Sequence, residues 1–145
     1  MPEYPGRKVA DKYLVQRIEG ASPEQLAALL LEGGQRFVTL ILQALKEGDL
    51  AGQARYVNRT SDIIFALEEQ LNHESGGEVA RNLARIYDWW TRELFDAAQK
   101  NEPARLQLIF KHMGELRETW EELHRRKTAG TTQPKPTASI GEFSA

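Results

Sequence analysis

Along most of this chain, apolar side chains return at intervals of three and four residues, the spacing of one helix face. Short breaks divide the pattern into four runs. The first begins at Ser22, whose side-chain oxygen suits a helix cap, with Pro23 at the first helical position and Gln25 at the third. Leu26, Leu30, Gly33, Phe37, Leu40, Ile41 and Ala44 keep the spacing up to Gly48. The second run opens at Asp49 and carries Leu50, Ala54, Val57, Ile64, Leu67 and Leu71. Ser75-Gly76-Gly77 is expected to end it, because glycine accepts the left-handed conformation that closes a helix. The third begins near Glu78, where an acidic residue suits the positive end of the helix dipole, and presents Val79, Leu83, Ile86, Tyr87, Trp90, Leu94 and Ala98. The fourth follows Asn101-Glu102-Pro103, with Asn101 as its expected cap, and presents Leu106, Ile109, Phe110, Met113, Leu116, Trp120 and Leu123. No stretch alternates with period two between turn signals. Short connections make sequential helices antiparallel neighbours. The expected fold is therefore all-α, an antiparallel up-down four-helix bundle.

The two ends depart from this pattern. Residues 1–20, with Pro2, Pro5 and Gly6, read as an N-terminal arm or short helix leading into a bundle domain at 21–127. Residues 128–145 are rich in Thr, Pro, Gly and Ser and read as a disordered tail, too poor in apolar side chains to offset the entropy of ordering them.

The runs hold more apolar residues than one seam requires. About three positions in seven suffice to face a bundle core. The first run adds Leu29, Leu31, Val38, Leu42 and Leu45, the second Tyr56, Ile63 and Phe65, the third Trp89 and Phe95, and the fourth Leu108. Single exposed apolar residues are ordinary on monomers, but a cluster of them marks a binding surface. Spare apolar grooves on a helical bundle suit amphipathic helices from another chain. Tyr13, Leu14 and Ile18 in the arm could lie in such a groove on their own bundle; the plainer alternative is a hydrophobic staple, with Ile18 or Ala21 packing on the first helical turn. Tyr87, Trp89 and Trp90 pose the sharpest case. Neighbours on a helix point about 100° apart, so the three rings cannot share one face. Tyr87 and Trp90 are expected in the core and Trp89 nearer the surface.

Composition narrows the function classes. The chain has 145 residues, about one domain, with a formal charge of −2, which argues against electrostatic nucleic-acid binding. It contains no cysteine, and therefore no disulfide, thiol nucleophile or cysteine-bound metal. The opening MPEYPGRKVADKYLV lacks the apolar run of a signal peptide, and no apolar stretch is long enough to span a membrane; both favour a cytoplasmic protein that does not insert into membrane.

Candidate chemistry is sparse. Glu121 and His124 stand three residues apart, the spacing used by carboxylate-bridged di-iron bundles, but no second such pair exists and a solvated face explains them. There is no phosphate-binding glycine loop, and His124-Arg125-Arg126-Lys127 is a basic run at a helix end that complements the dipole. Gly33-Gly34 inside a helical run points to close helix approach or to a bend. No cofactor, metal or catalytic group is expected.

Several segments together carry a resemblance. Tyr13, Ile18, Ala21-Ser22-Pro23 and Leu26 follow the spacing Y-x4-[VI]-x2-A-[ST]-P-x2-L. LLLEGG at 29–34, the Gly48-Asp49 turn, TSDIIFAL, GGEVARNLARIYDWW and ELRETW follow in the expected order. In these segments the chain resembles the FliS family of flagellar secretion chaperones, from about Tyr13 to Leu123. The resemblance implies a cytoplasmic bundle that sequesters the C-terminal segment of flagellin in apolar grooves, prevents premature polymerisation and delivers it to a component of the flagellar export gate. It also implies that the arm around Tyr13 covers a groove in the free chaperone. Leu31 stands where the family often has an aromatic, and Trp89-Trp90 is bulkier than the common Tyr-Met, so groove shape could differ. Joined with the surplus apolar positions, the expected partner-binding residues are Tyr13, Ile18, Leu26, Leu31, Ile63, Ile64, Leu67, Tyr87, Trp89 and Trp90. A loose arm permits exchange between protomers, which leaves monomer and dimer both open. The alternatives are an adaptor or regulator that binds another amphipathic helix and, more remotely, a carboxylate-bridged metalloenzyme.

Overall fold

A computed structural model of the chain describes residues 15–130. A short helical segment at 15–19 precedes four long helices: α1 (Pro23–Glu47), α2 (Leu50–Glu69), α3 (His73–Gln99) and α4 (Pro103–Thr128). Each helix packs on its neighbours in sequence, and α4 closes the ring against α1. This is the expected up-down bundle. Tyr13 and nearly all of the expected tail lie outside the described residues.

The first boundaries follow from local chemistry. Ser22 Oγ accepts from Gln25 N–H at 3.2 Å, while Ser22 N–H donates to Gln25 Oε1 at 3.0 Å, a reciprocal capping box. Gly48 closes α1 in the left-handed conformation (φ 70°), and Asp49 then caps α2 by accepting from Gly52 N–H at 2.9 Å.

Two boundaries correct the reading from sequence. The second helix stops at Glu69, not at the Ser75-Gly76-Gly77 run. Asn72 is the reason: its Oδ1 accepts from both Glu74 and Ser75 N–H, which starts a new turn. Gly77 then breaks that turn (φ 52°, ψ −126°) before the long part of α3 begins at Glu78. Asn101 does not cap α4. It takes a positive φ of 53° and helps close α3, donating to Ala98 O, while Glu102 occupies the cap position without a side-chain hydrogen bond to the backbone N–H groups of the first turn.

The core holds Leu31, Val38, Ile41, Ile64, Leu67, Leu83, Tyr87, Trp90, Leu94, Leu106, Ile109, Met113 and Leu116. On α1 the buried line is Ala27, Leu31, Gly34, Val38 and Ile41, one position on from the expected Leu26, Leu30, Gly33 and Phe37. A helix apolar around most of its circumference does not announce its phase, and here packing against both α2 and α4 sets it. Leu50, expected on the seam of α2, is 76% exposed, and Phe110 of α4 is also exposed.

Glycines let α1 sit deep between its neighbours. A Cβ on Gly33 would stand 3.2 Å from Ile63 Cδ1, and one on Gly34 would stand 3.0 Å from Met113 Sδ. The buried Gln35 reaches across to α4, where its Nε2 donates to Phe110 O at 3.0 Å. A Cβ on Gly114 would meet that Nε2 at 2.7 Å. At the end of the bundle, Ser22 Oγ lies 3.0 Å from His124 Nδ1, and Lys127 pairs with the buried Glu24. His124 is thus tied to the cap of α1, which corrects its reading as part of a solvated face. Burial works against the Glu24 carboxylate, but its hydrogen bonds from Lys127 and from its own backbone N–H hold it below the ordinary value.

Two outcomes follow for stability. Alanine normally gains about 1 kcal/mol over glycine within a helix. Gly114→Ala should instead lose roughly 1–2 kcal/mol by forcing Gln35 from its buried hydrogen bond. In a Gln35→Ala background the same change should become stabilising, as read by denaturant unfolding. For Glu24, the lowered folded-state pKa means that the Lys127 pair contributes stability above pH 4.5, lost as pH falls through the folded-state value. Glu24→Gln should therefore flatten the fall of melting temperature with acidification, leaving less pH dependence than in the parent.

Candidate partner-binding surface

The ten residues expected to bind a partner do not form one surface. Leu31, Ile64, Leu67, Tyr87 and Trp90 are buried in the core. Leu26 and Ile63 are half-buried, Ile63 against Gly33 and Gly34 between α1 and α2. Ile18 and Trp89 are exposed, and Tyr13 lies outside the described residues. The three rings divide as expected. Trp90 is 0% and Tyr87 2% exposed, their centroids 5.5 Å apart, whereas Trp89 is 36% exposed.

Two apolar features remain accessible. The first is a cavity of about 170 Å3 at one end of the bundle, between the first turn of α1, the end of α2 and the start of α3. Leu67, Leu83 and Tyr87 line its interior, and Pro23, Leu71, Val79 and Trp120 complete the wall. The helix ends explain it. After Glu69 the chain leaves α2, and the break at Gly77 sets the first turn of α3 at an angle, so the helices do not close over the core there. Trp120 Nε1 is buried without a hydrogen-bond acceptor, as is Trp90 Nε1 in the core. Burial and the nearby Glu68 carboxylate push the Tyr87 hydroxyl above its ordinary value, so it stays protonated. Glu68 itself is raised by burial and by the charge of Asp88.

The second feature runs over α3 and α4. The Trp89 ring faces the His112 ring at a centroid distance of 6.0 Å, and Leu108, one turn before His112, is exposed. An ion-pair cluster lies beside them: Arg105 Nε donates to Glu93 Oε2 at 3.0 Å, and Arg105 Nη1 reaches Glu102 at 2.7 Å and Asp96 at 2.8 Å. The hydrogen bond from Arg105 holds Glu93 below the ordinary carboxylate range. Phe65 on α2 and Phe95 on α3 add exposed rings, at 61% and 43%.

Sequence reasoning missed Pro23, Leu71, Val79 and Trp120 as parts of a site. A cavity built from helix ends leaves no single-face periodicity to read. The signal that was present is the pair of interruptions at Leu71-Asn72 and Gly76-Gly77, which parts the ends of α2 and α3. Among the described residues no group of three or more metal-ligating side chains converges, and no helix is long and apolar enough to cross a membrane. A polar cleft lined by Gln16, Arg17 and Gly20 of the arm, Ala21 at its junction with the bundle, Gln25, Ala28, Leu29 and Glu32 of α1 and Glu121 of α4 lies outside the apolar cavity.

Known proteins share this sequence pattern. The chain is similar to the flagellar secretion chaperone FliS of Vibrio cholerae, 25% identical over 107 residues that cover 74% of this chain and 79% of the relative. The Salmonella typhimurium FliS is 27% identical, covering 73% and 79%, and the Campylobacter jejuni FliS 32% identical, covering 74% and 84%. A family model described as flagellar protein FliS matches residues 6–127, and since that span takes in all four helices of the bundle up to the last turn of α4, the chain belongs to the FliS family.

Proposed function

We propose that this chain is a cytoplasmic chaperone that holds the C-terminal segment of flagellin in apolar surface features, keeps it from polymerising and brings it to a component of the flagellar export gate. The observation that carries this reading is the family match across residues 6–127, joined to a bundle with an apolar cavity at its end and exposed rings on its flank. The relatives from Vibrio cholerae, Salmonella typhimurium and Campylobacter jejuni are flagellar secretion chaperones. The mechanism is steric. An assembly segment folded onto the bundle cannot pair with another flagellin, and its apolar side chains contribute about 25 cal/mol per Å2 buried, less the entropy of ordering a flexible chain.

The ten candidate residues divide by role under this reading. Ile18 and Trp89 contact the partner directly. Leu67 and Tyr87 form the floor of the cavity, while Leu31, Ile64 and Trp90 support the helices from inside. Leu26 and Ile63 lie on the flanks of α1 and α2. Tyr13 acts from the arm.

Calorimetric titration with the C-terminal segment of the organism's own flagellin tests the reading. One-to-one binding with a strongly negative heat-capacity change is expected. No heat at several temperatures and no complex on size exclusion would sink it, and would favour an adaptor for another amphipathic helix. Point variants separate surface from support. Trp89→Ala should weaken capture and Tyr13→Ala should change its affinity, both leaving the unfolding midpoint nearly unchanged. Leu67→Ala should cost about 2–5 kcal/mol of stability, as buried leucine truncations do. A large fall in melting temperature for Tyr13→Ala would instead make the arm a structural element.

A further inference from the structure

The cavity at the bundle end lies beside the point where the C-terminal segment departs. α4 ends at Thr128, and Lys127 in its last turn pairs with Glu24, the neighbour in sequence of the cavity-lining Pro23. α4 therefore ends next to the cavity, and residues 131–145 follow it in sequence. They carry one Lys and one Glu, so no net charge opposes their return. Pro134 and Pro136 oppose helical continuation, and the larger apolar side chains, Ile140 and Phe143, come near the end. Ten extended residues from Gly130 reach roughly 33–36 Å, ample to bring Ile140 back to the mouth.

The cavity suits what this segment carries. Its volume of about 170 Å3 is near that of an engineered apolar cavity of about 150 Å3 that stays dry and admits benzene. A phenylalanine ring fits such a space. Trp120, part of its wall, offers a largely apolar indole face to a ring entering there. The described part of the N-terminal arm does not compete for this place. Residues 16, 17 and 20 line the separate cleft against α1 and Glu121.

We propose that the C-terminal segment of the chain folds back and inserts Phe143, with Ile140 beside it, into the cavity bounded by Leu71, Val79, Leu83, Tyr87 and Trp120. The segment is then an internal occupant that any partner using the cavity must displace. That consequence for capture rests on the flagellin reading, whereas the docking does not.

The chain has no cysteine, so Ser139→Cys in the full chain offers one attachment point for a nitroxide. Methyl spectra of the labelled protein alone read the docking. The methyls of Leu71, Val79 and Leu83 should broaden strongly. Those of Leu50 and Leu106, at the far end of the bundle, should not, since a 25-residue helix is on the order of 35 Å long. Adding Ile140→Ser and Phe143→Ser to the labelled chain should abolish the broadening without moving the unfolding midpoint by more than a few degrees. Equal broadening at both ends, or none, overturns the proposal. Broadening that grows with protein concentration overturns it as well, because the occupant would then be the tail of a second copy. In a separate titration, the unlabelled double-serine variant should bind the flagellin segment roughly 3- to 10-fold more tightly than the parent, the occupied fraction being removed. Broadening with no flagellin binding in either protein would leave the docking standing and overturn the flagellin reading alone.

Discussion

The arrangement rests on how closely α1 approaches its two neighbours. Gly33 and Gly34 bring its backbone within side-chain contact of Ile63 on α2 and Met113 on α4, and Gly114 leaves room for Gln35 to cross to Phe110 O. Two opposing terms meet here. Glycine inside a helix costs about 1 kcal/mol relative to alanine at each position. Against that stand the tight packing of Met113 and Ile63 and a buried hydrogen bond that would otherwise leave an amide unsatisfied. The close approach lets Leu31 and Val38 reach the centre of the bundle, fully buried. It also turns Leu26, Leu30 and Phe37 toward the flanks, so one helix supplies core and half-buried surface together.

Much of the fold was legible from local signals. The Ser22-Pro23-Gln25 capping box, the Gly48-Asp49 junction and the periodic runs through Trp90 and Leu116 each had one dominant cause within a few residues. Misreadings arose where two causes competed. Asn72 caps a helix before the glycines can end one, and Asn101 closes α3 although its residue type also suits the start of α4. The phase of α1 depends on which neighbours it meets, and no window of its own sequence contains that information. Leu50 fell on the apolar period of α2 yet faces solvent at the first position of that helix.

The candidate site was legible in a different way. The count of apolar residues exceeded what a seam needs, and the excess was divided: Leu29 lines the polar cleft, and the others went to three places. Leu31 and Val38 entered the core, Leu42, Leu45, Tyr56 and Ile63 packed partly against it, and Phe65, Trp89, Phe95 and Leu108 stayed exposed. Counting cannot make this division, since it depends on the rotation of each helix. The aromatic triplet could be divided because neighbouring positions on one helix differ by a fixed angle: once Trp90 points inward, Trp89 cannot. The cavity at the bundle end needed the ends of three helices and Trp120 together, and remained out of reach of any single-face pattern.

An even number of antiparallel helices sends both chain termini out at the same end of the bundle. Here that end also holds the apolar cavity, between helix ends that Asn72 and Gly77 keep apart. The contacts Ser22–His124 and Glu24–Lys127 fasten the entry of α1 to the exit of α4 at this place. They cost little core packing, because both sit at the rim. They lie next to the cavity-lining Pro23 and one to two turns beyond Trp120, so the shape of the opening is coupled to the first turn of α1 and the last turns of α4. Substitution of core residues away from the cavity, such as Ile41 or Ile109, therefore acts on whether the bundle forms, whereas change at Pro23, Trp120 or the cavity floor of Leu67, Leu83 and Tyr87 acts on what the cavity can accept. This separation allows binding properties to vary within a common bundle without disturbing the packing around Trp90.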